Sequence, residues 1–421
     1  KYPNFVCMKR GLIITMLTLL SHCLPAQTTK SLLVGNSYTA ANNLASVISQ
    51  LSLSMGDTAE VYAVNPGGYT FELHTVYAPT LAMIDSMDWD FVVLQEQSQR
   101  PSFPQSQVEV EVYPFARYLD SLIHVNNQCT ETVFYMTWGR KYGDAGNCAF
   151  WPPVCTFTGM QQQLRDSYVK MANDNAALVA PVGEAWERSW NTDSTINLWV
   201  SDNSHPDVTG TYLAACVFYA TLFRQSPVGA SYTAGLSASV ATHLQQMAFQ
   251  TVFDSLDTWN IGDYDVVPQF AANIAGLNVQ FDNQSLNGLT YFWSFGDGGT
   301  SSDSLPQHTY TSPGNYQVTL TVSNGCTGGT VTQTINVTST AIGDQMNEIP
   351  CISLLENGVF QTDCSSGLEV KIFTLDGKLV ADETIAPQGI FRAVVPGPGL
   401  YIAVFQVDNI IVARSRFTRI Y

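Results

Sequence analysis

The sequence predicts a three-layer α/β sandwich built on a parallel sheet, followed by two all-β sandwich domains. Three observations predict it. The chain has 421 residues, too many for one ordinary core. From about residue 30 to about 260, short apolar runs alternate with amphipathic helical patterns. Near Val266 the helical periodicity stops, and Gly, Ser, Thr, Asn and Asp crowd between short alternating runs. With 45% hydrophobic and 11% aromatic residues the chain can fill such cores, which excludes wholesale disorder. Boundaries are expected at 1–26 (upstream residues and leader), 28–262 (α/β domain), 266–339 (first sandwich) and 345–421 (second sandwich).

The first segment reads as an export signal. From Met8, two cations (Lys9, Arg10) precede an apolar run from Gly11 to Leu20, and turn-forming residues then lead to Pro25-Ala26. That order is a secretory signal peptide, with cleavage expected near Ala26 and residues 1–7 upstream of the start. The apolar run is well short of the ~20 residues that span a bilayer. His22 stands where lipidation at Cys23 would want a small residue. The protein is therefore expected to be secreted or displayed at the cell surface, with no membrane span in its mature form. Export permits disulfides. Seven cysteines follow the leader, so at least one thiol stays free; Cys148/Cys155 and Cys351/Cys364 are spaced to close small loops. No Cys-x-x-Cys occurs and His is scarce, so no zinc or other metal site is expected.

Strands are expected at 31–34, 59–64, 91–94, 133–137 and 177–182, with helices over 43–53, 108–125, 160–173, 210–223 and 238–256. In parallel sheets ligands collect beyond the carboxyl ends of the strands. The first strand breaks there at Gly35-Asn36-Ser37-Tyr38-Thr39, before a helix opening near Asn42 or Asn43. A serine on a strand-to-helix turn can be a nucleophile, although alone it is more often a helix cap. A second loop, Trp199-Val-Ser-Asp202-Asn-Ser-His205-Pro206-Asp, precedes a helix over Gly210–Phe223. Asp and His three apart can converge, the carboxylate holding Nδ1–H and leaving Nε2 to take a serine proton. Pro206 is expected to start that helix.

Gly-Asn-Ser after the first strand and Asp-x-x-His before a late helix, in this order, resemble the SGNH hydrolases over roughly Leu32–Phe223. The resemblance implies a flavodoxin-like fold and a serine esterase without cofactor, with Ser37 as nucleophile and His205 and Asp202 as its proton-handling pair. It implies an oxyanion hole from the Ser37 amide, a glycine amide after the second strand (Gly68, with Gly67 as fallback) and an Asn side chain after the third. Asn36 replaces the family's usual Asp. The family's Gly-x-Asn-Asp pattern is absent: Leu94-Gln95-Glu96-Gln97-Ser98 stands there, placing Gln97, or else Gln95, as the third donor. A divergent SGNH branch with a Leu-Gln-Glu-x-Ser motif is the better match. Trp138, Trp186 and Trp199 are equally readable as walls for a sugar ring or as packing beneath loops; Arg140 and Glu184 are read as pairing or touching substrate.

The first sandwich carries Trp293-Ser-Phe-Gly-Asp297-Gly298, His308-Thr-Tyr310 and Gly314-Asn-Tyr-Gln-Val-Thr-Leu320, with Asp297-Gly298 suited to a positive-φ hairpin turn. These residues resemble a PKD domain, an immunoglobulin-like module. The second follows a joint at Thr338–Thr340. Its Asp376-Gly377 hairpin, Gly399-Leu-Tyr strand and basic end resemble a C-terminal sorting domain of the type IX secretion route of Bacteroidetes-type bacteria, which implies that machinery as a partner.

A net charge of −17 repels phosphate backbones, so no nucleic acid is expected as a partner. The substrate expected is an ester with a short acyl group such as acetyl, carried on carbohydrate. The alternative is a surface glycan-binding or adhesion protein that keeps the scaffold without turnover. A transferase or lipase is a third reading; no broad apolar lid supports lipids.

Overall fold

The computed structural model describes residues 27–338 and, between 352 and 419, all except 357, 364–367, 375–376, 387, 398 and 408–409. The segment expected to be an export signal, with Cys23, and Ser339 and Thr340 of the joint, Cys351, Cys364 and Asp376 lie outside the described residues.

Five apolar runs form one parallel sheet: β1 (Thr28–Val34), β2 (Thr58–Val64), β3 (Phe91–Leu94), β4 (Glu131–Tyr135) and β5 (Leu178–Ala180), in the order β2-β1-β3-β4-β5. β3 and β5 are buried throughout, as a sheet covered on both faces requires. The first crossover steps one way from β1 and the later ones step the other way. Right-handed connections therefore put their helices on opposite faces. On one face α1 (Leu44–Ser54) packs with α5 (Val208–Leu222) and α6 (Ala238–Phe253). α2 (Tyr113–Asn126) and α3 (Phe157–Asp174) belong to the other, with α4 (Val182–Thr192) leading from β5 toward α5.

Local chemistry sets the boundaries. Asn43 adopts φ 55° and caps α1 by accepting from the Ser46 amide. α5 is buried over nearly its whole circumference, which suits its unbroken Tyr212–Leu222 run of apolar and small residues. Asp207 caps it, accepting from the Gly210 amide at 2.9 Å, so Pro206 lies ahead of the helix and does not begin it. Gly210 itself is required: a Cβ would sit 2.4 Å from both the Leu198 carbonyl oxygen and the Trp186 ring.

The PKD-like segment pairs a β10-β7-β6 sheet with a β12-β11-β8-β9 sheet, using β6 (Phe270–Ala275), β7 (Asn278–Asn283), β8 (Thr290–Ser294), β9 (Thr300–Ser301), β10 (Gln307–Thr309), β11 (Gly314–Ser323) and β12 (Gly328–Val337). Phe270, Phe281, Trp293 and Phe295 fill the space between them. The β8–β9 turn has positive φ at Gly296 and Gly298, and Asp297 receives a 2.7 Å bond from His308 Nε2. The last segment is likewise antiparallel, with sheets of three and four strands packed around Phe360, Val370, Ile372 and Phe405.

Cys148 and Cys155 form a disulfide, as their spacing suggests. A second joins Cys129 to Cys326 across 197 residues and ties the α/β domain to the first sandwich. Cys216 is a buried free thiol on α5. Among the described residues no helix is long and apolar enough to cross a membrane.

Candidate active site

The loop after β1 and the loop before α5 meet at the carboxyl edge of the sheet. Ser37 opens a helical turn (Ser37–Ala40) that Asn36 caps by accepting from the Tyr38 amide at 3.1 Å. The opposing loop is closed by its own backbone: Val200 N–H donates to the His205 carbonyl at 3.0 Å, and Asp207 N–H to that of Leu198. This brings Ser37 Oγ within 2.8 Å of His205 Nε2, and His205 Nδ1 within 2.6 Å of Asp202 Oδ2. Asp202 Oδ1 accepts the amides of Ser204 and His205 at 2.8 and 2.9 Å. Partial burial pulls the Asp202 carboxyl up, but those two amides and the imidazole together hold it below the usual carboxylate range. An ionised Asp202 takes Nδ1–H, leaving the Nε2 lone pair for the Ser37 hydroxyl.

The tryptophans are packing, not platforms. Trp138 and Trp186 have no exposure and Trp199 only 2%. Tyr38 stacks on Trp138 at 4.9 Å, Trp138 stacks on Trp186 at 3.8 Å, and Tyr38 meets the His205 ring at 5.0 Å. Trp138 Nε1 donates to the Ser204 carbonyl, and the Tyr38 hydroxyl lies 2.6 Å from Ser204 Oγ. This aromatic column supports the Asp202–His205 loop from below. Arg140 and Glu184 do not pair with each other: Arg140 binds the buried Asp144 at 3.1 Å, and Glu184 binds Arg165 at 3.3 Å.

After β2, Pro66–Tyr69 makes a turn closed by Tyr69 N–H to the Pro66 carbonyl at 3.3 Å. Gly68 takes φ +75° at its third position, where glycine is favoured. Gly67 and Gly68 are both exposed. Neither the Ser37 amide nor the Gly68 amide has a protein acceptor among the described residues.

The loop after β3 departs from expectation. Gln95 is fully buried, and its Oε1 accepts the Asn36 amide (3.0 Å) and the Thr39 hydroxyl (2.9 Å); its Nε2 donates to the Glu96 carbonyl. Gln95 is therefore no oxyanion donor. Gln97 turns onto its own loop. Its Oε1 accepts the amides of Gln99 and Arg100, and one Nε2–H donates to Gln99 Oε1 at 3.3 Å. These bonds join it to neither Ser37 nor His205. Glu96 is fully buried, accepting the Phe71 amide on Oε2 (2.9 Å) and the Gln97 amide on Oε1 (2.6 Å). Burial pushes its carboxyl up to about 7, against the pull of those amides.

Sequence reasoning passed over His74. It is wholly buried behind the Ser37 loop, with Nε2 2.9 Å from the Gly35 carbonyl and Nδ1 2.7 Å from Thr80 Oγ1. Burial lowers its pKa to about 4, so it is neutral near pH 7, donating from Nε2 and accepting from Thr80. A polar residue in the Phe71–His74 turn carried no signal that it would fold inward.

Residues 269–339 match the family model described as PKD domain. Pre-pro-metalloprotease PrtV of Vibrio cholerae is 32% identical over 146 residues, 32% of this chain. The chain spans only 15% of the length of that relative. Among solved structures, a DUF4886 family protein from Bacteroides uniformis aligns at 18% identity over 53% of this chain and 95% of its own, with a TM-score of 0.45. The PKD1 domain of the V. cholerae metalloprotease PrtV aligns at 38% identity over 18% of this chain and 98% of its own, with a TM-score of 0.17.

Proposed function

We propose that this chain is a serine hydrolase cleaving esters of short acyl groups, with Ser37 as nucleophile, His205 as general base then acid, and Asp202 orienting the imidazole. The observation that carries the reading is the unbroken relay from Ser37 Oγ to His205 Nε2 (2.8 Å) and from His205 Nδ1 to Asp202 Oδ2 (2.6 Å). Ser37 Oγ attacks the ester carbonyl carbon as its proton passes to Nε2. The carbonyl oxygen becomes an oxyanion facing the Ser37 and Gly68 amides. Collapse of the tetrahedral intermediate expels the alcohol, which leaves with the proton from His205. Water, deprotonated by the same nitrogen, then cleaves the acyl-enzyme.

The His205 and Asp202 side chains are 38% and 47% exposed. An open relay accommodates an ester on a bulky carrier better than a small ligand that must be enclosed. That exposure, with the export signal read in the sequence and the appended sandwiches, supports acyl groups on polysaccharide outside the cell as the substrate. Delivery by the type IX route belongs to the same proposal.

The test is hydrolysis of 4-nitrophenyl acetate by the full chain and by Ser37→Ala. Loss of turnover in the variant is expected. Equal rates in both proteins would remove Ser37 as nucleophile, and no turnover in either would favour the glycan-binding alternative.

A further inference from the structure

We propose that Gln95 and Glu96 are positioning residues that set the separation of the two oxyanion amides, each side chain from the β3 exit holding one of the two loops that carry them. The inference rests on the reading of Ser37 as nucleophile with the Ser37 and Gly68 amides as donors.

Three loops surround the nucleophile: 35–39 after β1, 66–71 after β2 and 95–97 after β3. Hydrogen bonds join them in a closed triangle. Gln95 Oε1 takes the Asn36 amide at 3.0 Å and the Thr39 hydroxyl at 2.9 Å, fixing the first loop to the third. Glu96 Oε2 takes the Phe71 amide at 2.9 Å, fixing the second loop to the third. Asn36 Nδ2 donates to the Tyr69 carbonyl at 2.9 Å, closing the first loop on the second. This last bond needs an amide at position 36, since an aspartate would set a carboxylate oxygen against that carbonyl.

Gly35 belongs to the same arrangement. A Cβ there would stand 2.4 Å from Thr39 Oγ1 and 2.7 Å from Gln95 Oε1, so a side chain at 35 would push apart the two groups that bond to each other. Each carboxylate oxygen of Glu96 is used, one on Phe71 and one on Gln97. Both residues are without exposure and cannot meet substrate. Their bonds end one residue from Ser37 and three from Gly68. A side chain replaced here shifts a donor without removing it.

The test compares Gln95→Met, which keeps length and loses the acceptor, with Glu96→Gln, which keeps shape and one acceptor. Each is made in the full chain and compared with wild type and Ser37→Ala. Active sites are counted by the burst of 4-nitrophenol, and turnover is expressed per counted site. The expected result is a fall in kcat per site of roughly 10- to 100-fold in each variant, below the ~10²–10³ for outright loss of a donor. KM should stay within about threefold, and inhibition by a trifluoromethyl ketone should weaken by the same factor as kcat. A merely structural role would lower the number of counted sites and leave turnover per site unchanged. Turnover per site within about twofold of wild type in whichever variant folds, with Ser37→Ala inactive, overturns this proposal and spares the hydrolase reading. Full turnover in Ser37→Ala overturns both.

Discussion

His205 donates from Nδ1 to Asp202 Oδ2 over 2.6 Å, while Asp202 Oδ1 is held by the amides of Ser204 and His205. The carboxylate thus fixes the loop and the tautomer together. Asp202→Asn keeps the shape but sets an NH₂ or a weaker acceptor against Nδ1, favouring the tautomer with its proton on Nε2. The expected fall in kcat is roughly 10²–10³-fold, less than the ~10⁴ found for a buried carboxylate, because this one is half exposed. Steady-state kinetics on an aryl acetate check it; a loss under about fivefold would mean that Asp202 serves the loop alone.

Gln97 gives a second expectation. Its Oε1 holds the Gln99 and Arg100 amides. Gln97→Ala should lower the melting temperature by a few degrees, as loss of a turn-closing cap worth about 1 kcal/mol does. It should change kcat less than tenfold, because the proposed oxyanion hole consists of two backbone amides. A fall of ~10²-fold or more at unchanged stability would restore Gln97 as a third donor.

What the sequence revealed and what it hid separate along physical lines. β1, β3 and the strand–helix alternation were legible because burial on both faces writes itself as unbroken apolar runs. Ser37 and the Asp202/His205 pair were legible because each sits on a strand-exit or helix-entry loop that the fold must bring to one edge. Trp138 and Trp186 could not be placed: an aromatic after a strand reads alike whether it faces solvent or stacks under Tyr38. Gln95 was read as an alternative oxyanion donor and Glu96 was given no role, for a different reason. Polar residues after a buried strand suggest chemistry with substrate, but here they satisfy backbone amides of neighbouring loops, a role only three-dimensional proximity shows. The Cys129–Cys326 pairing spans 197 residues, and no spacing rule reaches that far.

His74 supplies a pH dependence. Its folded pKa is lowered to about 4 from an ordinary 6.5, chiefly by burial. Between those values the unfolded chain binds a proton that the folded chain refuses, so stability falls as pH drops from 6.5 toward 4 and is level above. A change of that size corresponds to about 3 kcal/mol. His74→Gln removes the titration. The stability difference between wild type and variant, from urea unfolding followed by tryptophan fluorescence, should shrink by about that amount from pH 7 to pH 4. A difference independent of pH would show that His74 binds its proton equally in the folded and unfolded chains.

The Cys129–Cys326 disulfide leads to a prediction about where the first sandwich acts. Cys129 lies just before β4, at the amino edge of the sheet, whereas Ser37 and His205 sit at the carboxyl edge. Arg224 strengthens the same junction, bonded to Asp265 in the connector and 3.6 Å from Glu131 at the start of β4. The sandwich is thus held on the side away from the relay. A protease site inserted near residues 263–266 should give, after cleavage, one band without reductant and two with it. In Cys129→Ser/Cys326→Ser, which leaves Cys148–Cys155 intact, the fragments should separate without reductant, and the uncut variant should lose about 2–4 kcal/mol of stability. Turnover of a soluble aryl acetate should stay within about twofold of wild type, since no group at the relay moves. A large loss of turnover on removing the bridge would mean that the sandwich reaches the catalytic edge, contrary to its attachment at the opposite one.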